Sequence, residues 1–411
     1  MPTNTYLTIG MVTRETLRVL QNELTFTKQI NREYDDQFAK AGAKIGAVLN
    51  VRLPVRFTTA SGQGLILQDL TETSVPVVLN KQYQRSFAVT SADLSLNIDD
   101  FSKRFIKKAT ISLANEVDYD GLGQFVNIYN TVGTPGSPAN TVTTFLAAGQ
   151  RLSEEAAPMD DRKLCINPAQ NAAIVGALTG LFNPQRTIGK QYEKGLMTED
   201  TIGFDWYMDQ NVRSFTVGAL GGTPLVNAAS QTGASLITKG WTSSAAQRLN
   251  QGDVFTIGSG STGVYAVNPQ SGQSTGALRQ FVVTAPASSD GSGNLTVNIS
   301  PSIIVSGPYK TVTGATGDIT GPAANATINV LGAANQVTPQ GLAFHPDAFT
   351  FATADLPLYG GLDMGDRMTD ENLSMRVIRD YDINTDRAPL RIDLLGGWAT
   401  LYAQLACRIA S

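Results

Sequence analysis

The sequence is poor in the residues that build disulfide scaffolds and metal sites. Its 411 residues include two cysteines, Cys165 and Cys407, and a single histidine, His345. No CxxC or Cys/His spacing occurs, which excludes a disulfide scaffold, the usual zinc sites and any two-histidine metal site. Both cysteines lie in apolar, strand-like runs, so we expect them to be buried and reduced. We expect no metal and no cofactor.

Charge and long apolar runs are also scarce. Charged residues make up 16% of the sequence, and the net charge is -4 at pH 7. This composition excludes a tight, sequence-independent grip on nucleic acid, which needs a dense basic surface, but it leaves loose contact open. No apolar run reaches membrane-spanning length, and residues 1–10 lack the order of a signal peptide. We therefore expect a protein that is made in the cytosol and binds no membrane.

A change in composition divides the chain. Between Ala219 and Thr338 only seven residues are charged, and Gly, Ser, Thr and Ala crowd the stretch. Short alternating runs such as DVFTI, VYAV and LTVNIS stand between turn signals, which is typical of an antiparallel sandwich or barrel. A chain of this length is expected to form two or three domains. We predict that residues 219–338 are an all-β domain inserted into a discontinuous host domain.

The longest predicted element is a helix over residues 97–130. Apolar residues recur every four positions over residues 101–117, while Asn97 can cap the first turn. A helix of about 30 residues would be about 45 Å long, which suits a strut in an elongated subunit, although a long core helix of an ordinary enzyme fits the periodicity as well. Gly121 and Gly123 each cost roughly 1 kcal/mol relative to alanine, so we expect the second half to bend.

Two elements are predicted before this helix. Apolar residues at helical spacing over residues 13–24 predict an amphipathic helix whose apolar face needs a partner. Apolar and polar residues alternate over residues 51–57, and a return run over residues 75–87 repeats the alternation. We predict a long two-stranded hairpin with an edge strand at Pro54. An isolated hairpin is marginally stable, so we expect another subunit to support it.

The remaining elements are shorter. Before the β stretch the sequence predicts a connector at 133–140, a helix from the cap Thr144 to Leu152, a strand at 163–166, a helix from the cap Asn167 that ends before Pro184, and a strand within 195–212. After it the sequence predicts a loop at 360–372, a strand at 373–383, a turn at 384–389, and a pair of strands at 390–397 and 399–409.

Two motifs invite a catalytic or cofactor-binding interpretation. Residues 258–263 match GxGxxG, but the phosphate-binding version needs a helix after the glycines, and the strand-like VYAV follows here. We predict a hairpin turn. A Ser-His-Asp triad could use His345, but no GxSxG motif accompanies it, so we predict a partly buried histidine in the loop before Pro346.

Two charged clusters complete the candidates. The densest acidic run contains Asp363, Asp366, Asp370 and Glu371. Its spacing does not supply the alternating oxygen ligands of an EF-hand, so we predict a solvated loop. The long helix carries the basic residues Lys103, Arg104, Lys107 and Lys108. They could contact phosphate, but a solvated helix face is the ordinary expectation. We therefore assign no catalytic, cofactor-binding or metal-binding residue, and we predict that the protein is not an enzyme.

The order of the predicted elements resembles a known family. The short segments that carry the likeness are LANEV at 113–117, IGFDWYMDQNV at 202–212, GLAFHPDAF at 341–349 and LACRI at 405–409. With them, the chain resembles tailed-phage major capsid proteins of the Hong Kong 97 fold, and among these the podovirus coat proteins of the Salmonella phage P22 type, whose host fold carries an inserted β domain. The resemblance implies an α+β fold.

The resemblance also implies a domain plan. It assigns the N-terminal arm to 1–40, the E-loop hairpin and its flanks to 41–91, the spine helix and peripheral domain to 92–140, the axial domain to 141–218 and 339–372, the inserted β domain to 219–338, and the peripheral-domain strands to 373–411. The arm helix and the hairpin would lie across neighbouring subunits. Members of the family expand their shells after packaging, and we place the required bending of the spine at Gly121 and Gly123 as a hypothesis.

The function implied is that of a coat protein. Copies of the chain would assemble into hexamers and pentamers of an icosahedral head around double-stranded DNA, in the host cytoplasm and then the virion. Partners would include a scaffolding protein, a portal at one vertex, possible decoration proteins, and loosely contacted DNA. The alternatives are another phage structural component, such as a decoration or tail-sheath protein, and a hydrolase with a β-rich binding module.

Overall fold

The computed structural model describes residues 9–32, 48–57, 67, 72–90, 105–137, 141–178, 201–358, 364–383 and 387–411. The chain divides into two compact units, each made of segments distant in sequence. The first unit contains Met1–Leu53, Ser74–Gly121 and Phe349–Leu401, and the second contains Pro54–Thr73, Leu122–Ala348 and Tyr402–Ser411.

Helices and strands together make an α+β fold. The α-helices of the described residues are α1 (Ile9–Glu23), α2 (Lys107–Leu122), α3 (Val142–Glu154) and α4 (Pro168–Leu178). None of them is long and apolar enough to cross a membrane. The strands are β1 (Val48–Arg52), β2 (Ser74–Val78), β3 (Lys81–Thr90), β4 (Thr131–Gly133), β5 (Lys163–Ile166), β6 (Asp205–Met208), β7 (Ser214–Thr216), β8 (Gly222–Val226), β9 (Gly233–Trp241), β10 (Gln247–Leu249), β11 (Val254–Ile257), β12 (Tyr265–Val267), β13 (Ser274–Leu278), β14 (Gln280–Val283), β15 (Ala287–Ser288), β16 (Leu295–Ile303), β17 (Val312–Thr313), β18 (Ile328–Val330), β19 (Val337–Phe344), β20 (Phe349–Ala354), β21 (Met364–Asp370), β22 (Leu373–Arg379), β23 (Arg387–Thr400) and β24 (Ala406–Ala410).

The first unit is organised around the long strand β23. It pairs in antiparallel fashion with β3 on one edge and with β22 and β20 on the other. Helix α1 packs on β21 and β22 and buries Val12, Leu17 and Leu20. The amphipathic helix is therefore confirmed, and its apolar face finds a partner in strands β21 and β22 of the same chain.

The predicted hairpin forms, but it is shorter than expected. Strands β1 and β2 pair antiparallel from Val48 with Val78 to Arg52 with Ser74. Strand β1 stops before Pro54, which lacks a backbone N–H donor. The predicted return strand is two strands, because only β2 pairs with β1, whereas β3 pairs with β23. The hairpin is also supported within its own unit, since β2 contacts β23. A side chain at Gly397 of β23 would meet the Val78 carbonyl oxygen at 2.0 Å.

The long helix also ends earlier than predicted at its C-terminal end. Helix α2 ends at Leu122, a 3-10 turn spans Gly123–Asn127, and the backbone is extended at Ile128. The prediction of an α-helix to Asn130 is therefore wrong, and the low helix propensity of the two glycines explains the early end. The predicted start at Asn97 lies outside the described residues.

A six-stranded mixed sheet lies in the second unit, with five strands in the order β4-β24-β19-β5-β6 and β7 paired with β19. Strand β19 is antiparallel to its neighbours β24 and β5, whereas β4 is parallel to β24 and β6 is parallel to β5. Cys165 and Cys407 are buried thiols, as predicted. Burial raises the pKa of the Cys407 thiol to about 12.

Of the N-terminal caps predicted for α3 and α4, one is confirmed and one is not. Asn167 caps α4 as predicted, since its Oδ1 accepts the Gln170 backbone N–H at 2.7 Å. The predicted end of α4 near Pro184 lies outside the described residues. Helix α3 begins at Val142, two residues before the predicted cap Thr144.

The charge-poor stretch forms an antiparallel barrel. Six strands pair in the order β18-β11-β14-β16-β9-β8. The sheet closes because the Val226 N–H donates to Ala326 O at 2.9 Å and the Asn325 N–H donates to Val226 O at 3.0 Å. Its interior is a separate apolar core, in which Phe255, Phe281 and Leu236 are at most 1% exposed. The strands predicted from the alternating runs are confirmed.

Two predictions near the end of the chain are wrong. The predicted loop at 360–372 contains β21, which pairs with β22 through a tight turn at Glu371 and Asn372, with φ of 46° and 60°. Polar residues with low strand propensity hid this strand, while β22 supplied its partner. The strand pair at 390–397 and 399–409 is one continuous strand, β23, followed by a 3-10 turn and β24, which joins the other unit's sheet.

Candidate functional site

The residues that the sequence offered for chemistry do not come together. His345 lies in the loop before Pro346 with its side chain 12% exposed, as predicted, and its Nδ1 is 3.4 Å from an Asp347 carboxylate oxygen. The GxGxxG motif forms a turn between β11 and β12, in which the Val264 N–H donates to Ile257 O at 3.0 Å. The motif is therefore a turn, but the predicted hairpin is wrong, because β11 and β12 pair with other strands in two different sheets.

The charged clusters form surface contacts. Asp370 accepts a hydrogen bond from the Gln21 amide at 3.2 Å, and Glu371 lies 3.8 Å from Arg32. Lys107 and Lys108 are exposed. Asp363, Lys103 and Arg104 lie outside the described residues. Among the residues that are described, no group of three His, Cys, Asp or Glu side chains could hold a metal ion.

A buried aspartate on α2 holds the end of the N-terminal segment. Asp118 is 1% exposed, and its carboxylate accepts the backbone N–H groups of Thr25 at 2.7 Å, Phe26 at 3.3 Å and Thr27 at 2.9 Å. The Thr27 hydroxyl donates a fourth hydrogen bond to it. Four donors satisfy this buried charge, so the carboxylate fixes the chain just after α1. An aspartate within the apolar face of a helix was the available sequence signal.

Within the second unit, a buried ion pair joins the barrel to the end of helix α3. Arg279 precedes β14 and Glu155 follows α3, and their side chains, 4% and 6% exposed, are 2.5 Å apart. The Arg279 guanidinium lies 4.5 Å from the centre of the Tyr129 ring, and the Tyr129 hydroxyl is 3.4 Å from Glu155. Burial, reinforced by the Glu155 charge, raises the pKa of Tyr129. The phenol therefore stays protonated and can donate to the carboxylate.

A second buried polar cluster lies at the same junction. Asp253 of the barrel is fully buried and accepts the backbone N–H groups of Gly218 and Asn250. Burial raises the pKa of Asp253 to about 6 and lowers the pKa of Arg408 to about 10. Arg408 donates to Gly252 O at 2.9 Å. These groups bind the barrel to β24 of the six-stranded sheet.

A side-chain amide completes the junction. Gln280 of β14 accepts the Thr131 N–H and donates to the Thr131 carbonyl, each at 2.8 Å, which mimics a strand-to-strand bridge. Charged residues were scarce in the barrel sequence, and three of its seven, Arg248, Asp253 and Arg279, are buried. Their isolation in an uncharged stretch was the signal that could have identified them.

The arrangement is one of mechanical contacts. Each buried group described above is held by two or more hydrogen bonds or by an opposite charge, and these contacts fix the segment after α1 in the first unit and the barrel in the second. Such groups position structural elements, and none of them forms a nucleophile, base and oxyanion arrangement.

Several solved structures are similar to the chain at low identity. One from Mycobacterium phage Che8 is 10% identical with a TM-score of 0.46, covering 94% of this chain and 90% of that chain. The capsid structure of Cyanophage P-SCSP1u is 10% identical with a TM-score of 0.43, covering 89% and 83%. The mature capsid of bacteriophage PhiM1 is 8% identical with a TM-score of 0.41, covering 88% and 81%.

Comparison with protein families gives a match over almost the whole chain. No curated protein matches the sequence. The family model described as P22 coat protein, gene protein 5, matches residues 1–406. Members of this family are structural coat proteins, so the protein is a major capsid protein that forms the icosahedral head of a phage, and it is not an enzyme. The chain belongs to the P22 coat protein family.

Proposed function

We propose that this coat protein assembles into hexamers and pentamers that close an icosahedral shell around double-stranded DNA. The family match over residues 1–406 carries the proposal. Coat proteins of a shell make the same modest contacts many times, and closed rings repeated over a surface add these contacts by multivalency. Self-assembly is therefore the activity that we propose for the chain.

The subunit that we propose is of the Hong Kong 97 type. Strands β1 and β2 form a two-stranded sheet whose outer edges pair with no other described strand, and Val48 is 54% exposed there. Unpaired strand edges are templates for pairing with another chain. This supports the assignment of residues 41–91 to an E-loop that contacts a neighbouring subunit, beside a spine that contains α2.

An inserted barrel is the second part of this subunit. The chain enters the barrel after β7 and leaves it before β19, and these two strands pair, with Thr216 opposite Val337. Adjacent ends are what a domain insertion requires. This supports residues 219–338 as an insertion into an axial domain formed by 141–218 and 339–372, with 92–140 and 373–411 as the peripheral domain and 1–40 as the arm.

The remaining partners follow from the same proposal. Head assembly in the host cytoplasm would use a scaffolding protein and a portal at one vertex, and a decoration protein could bind the finished head. Contact with the packaged DNA would be loose, because the net charge is -4.

Sedimentation of the purified protein tests the proposed function. The protein, expressed alone and with its scaffolding protein, should sediment as particles of megadalton mass that contain this chain. A chain that remains a monomer under both conditions would exclude the proposal.

A further inference from the structure

One loop of the second unit displays an apolar side chain in a fixed position. Met159 is 80% exposed and lies between the C-terminal end of α3 and the start of β5. Buried Arg162 holds this loop, since its guanidinium donates to Pro158 O at 2.6 Å and to Ala157 O at 2.9 Å. The loop therefore presents this large apolar side chain to solvent in a fixed position.

Backbone strain accompanies this display. Ala156 and Asp161, at the two ends of the loop, have φ of 59° and 51°, in the left-handed region that side chains rarely adopt. Arg162 also donates to Gly149 O and to the Ser153 hydroxyl, at 3.2 and 3.1 Å, so the strained conformation is held from several sides. Such over-determined loops are typical of recognition elements.

A cavity of about 320 Å3 opens in the same unit. Its wall includes Ala169 and Ala173 of α4 and Pro339 of β19, with the Gln170 side chain beside them. Gln170 is held by the Ser411 hydroxyl at 2.8 Å. The wall is mostly apolar, and the volume is ample for a methionine side chain, whose three rotatable bonds let it fill irregular pockets.

The loop and the cavity lie at opposite ends of one strand. Met159 comes four residues before β5 begins at Lys163, whereas α4, which lines the cavity, begins at Pro168, two residues after the last residue of β5. A projection at one end and a recess at the other make two different surfaces that can contact each other only between copies. Head-to-tail contacts of this kind form closed rings when the rotation between successive copies closes.

We infer that Met159 of one copy inserts into the cavity beside Ala169 and Ala173 of the next copy around a capsomer ring. The inference rests on the proposed hexamers and pentamers. Charge supports this occupant, because exposed Asp160 next to Met159 would meet the N-terminal end of α4, which carries the positive end of the helix dipole. Repeated five or six times in a ring, one such contact contributes strongly to closure.

Site-specific crosslinking tests the contact. The double variant Met159→Cys/Ala173→Cys is assembled and oxidised with diamide, which accepts the two electrons and two protons released as two thiols form a disulfide. Native Cys165 and Cys407 are buried and do not compete. Because a disulfide requires Cα atoms within about 7 Å, a ladder of bands from dimer to hexamer on a non-reducing gel supports the inference.

The control pair is Leu146→Cys/Ala173→Cys, whose Leu146 is also exposed, at 53%, on α3. Particles of normal sedimentation that give no ladder, or a ladder from the control pair only, would overturn the inference while leaving the proposed function intact. Failure of the wild-type chain to form particles would overturn both.

Filling the cavity gives a second test without cysteines. Ala173→Trp should raise the concentration needed for particle formation at least tenfold without changing the unfolding temperature of the unassembled chain. The matched variant Ala172→Trp, at an exposed neighbouring position outside the cavity wall, should assemble as the wild type does. Normal assembly of Ala173→Trp would contradict the insertion of Met159.

Discussion

The Asp118 carboxylate on α2 accepts both the backbone N–H and the hydroxyl of Thr27, 91 positions earlier in the chain. Both residues are buried, and the same carboxylate also accepts the N–H groups of Thr25 and Phe26. One side chain thus replaces the water that would otherwise solvate three backbone donors. The position of the segment after α1 is therefore fixed by the long helix.

Replacing Asp118 should destabilise the chain strongly. Asp118→Ala leaves three buried N–H groups without their acceptor, and we expect a loss of about 3 kcal/mol in the free energy of unfolding, measured by urea denaturation of the unassembled chain. Asp120→Ala is the matched control on the same helix. Its ion pair with Lys81, whose side chain is 49% exposed, should be worth less than about 1 kcal/mol. Equal losses in the two variants would refute the role of Asp118.

Gly121 has a packing role that alters the bending hypothesis. A Cβ atom at Gly121 would lie 2.4 Å from the Trp398 ring and 2.9 Å from Phe26. Gly121→Ala should therefore destabilise the chain by about 1–3 kcal/mol. Gly176→Ala, in α4 where no atom lies within 4 Å of the new Cβ, should instead stabilise it by up to about 1 kcal/mol.

The comparison of these two variants separates packing from helix propensity. Adding Trp398→Phe to Gly121→Ala should recover part of the lost stability in thermal denaturation, because the ring becomes smaller. If Gly121→Ala alone stabilises the chain, the close packing of Trp398 is wrong. Shell expansion must be tested with substitutions that avoid this clash, and the role of the two glycines in bending stays a prediction.

The stability of the barrel junction should depend on pH through Asp253. Burial raises its pKa from 3.8 to about 6, so its contribution is fully present below pH 3.8 and is lost as pH rises through about 6. Relative to Asp253→Asn, the wild type should therefore lose about 3 kcal/mol between pH 3.8 and 6.5, measured by urea titrations at several pH values.

The contribution of Asp290, an exposed aspartate of the barrel, to stability should depend on pH in the opposite direction. The backbone N–H of Asn294 donates to Asp290 and holds the pKa of that carboxyl below its usual range, so its contribution is present above the ordinary pKa and lost as pH falls. Relative to Asp290→Asn, the wild type should therefore become slightly more stable as pH rises through the acid range.

The Asp253 prediction has a clear contrary outcome. If the difference in stability between the wild type and Asp253→Asn stays constant between pH 3.8 and 6.5, the burial of an ionisable Asp253 is contradicted.

Removing one partner of the buried pair Arg279 and Glu155 should lower the free energy of unfolding far more than replacing both partners with apolar residues. Glu155→Gln leaves the guanidinium without its counter-charge, and we expect a loss of about 3–5 kcal/mol. The double variant Glu155→Leu/Arg279→Met should recover most of it, since an apolar pair needs no desolvation. Asp318→Asn, which affects the exposed pair with Lys310, should cost less than about 1 kcal/mol in the same denaturation assay. Additive losses in the double variant would contradict this coupling.

The sequence predicted elements whose signals are local. Alternation identified the barrel strands, and Asn167 with Pro168 identified the start of α4, because both patterns depend on neighbouring residues. Strand partners are not local. The return run of the hairpin was therefore assigned to β1, whereas β3 pairs with β23, more than 290 residues later. The buried contacts of Asp118 and Arg279 join distant segments and could not be paired from spacing alone.

Electron cryo-microscopy of particles assembled from the purified chain is the decisive experiment. We expect closed shells in which copies of this chain form rings of five and six, with the barrel of residues 219–338 as a distinct lobe of every subunit. Particles without such rings, or a chain that contributes density only as isolated attachments on a shell made of another protein, would contradict it.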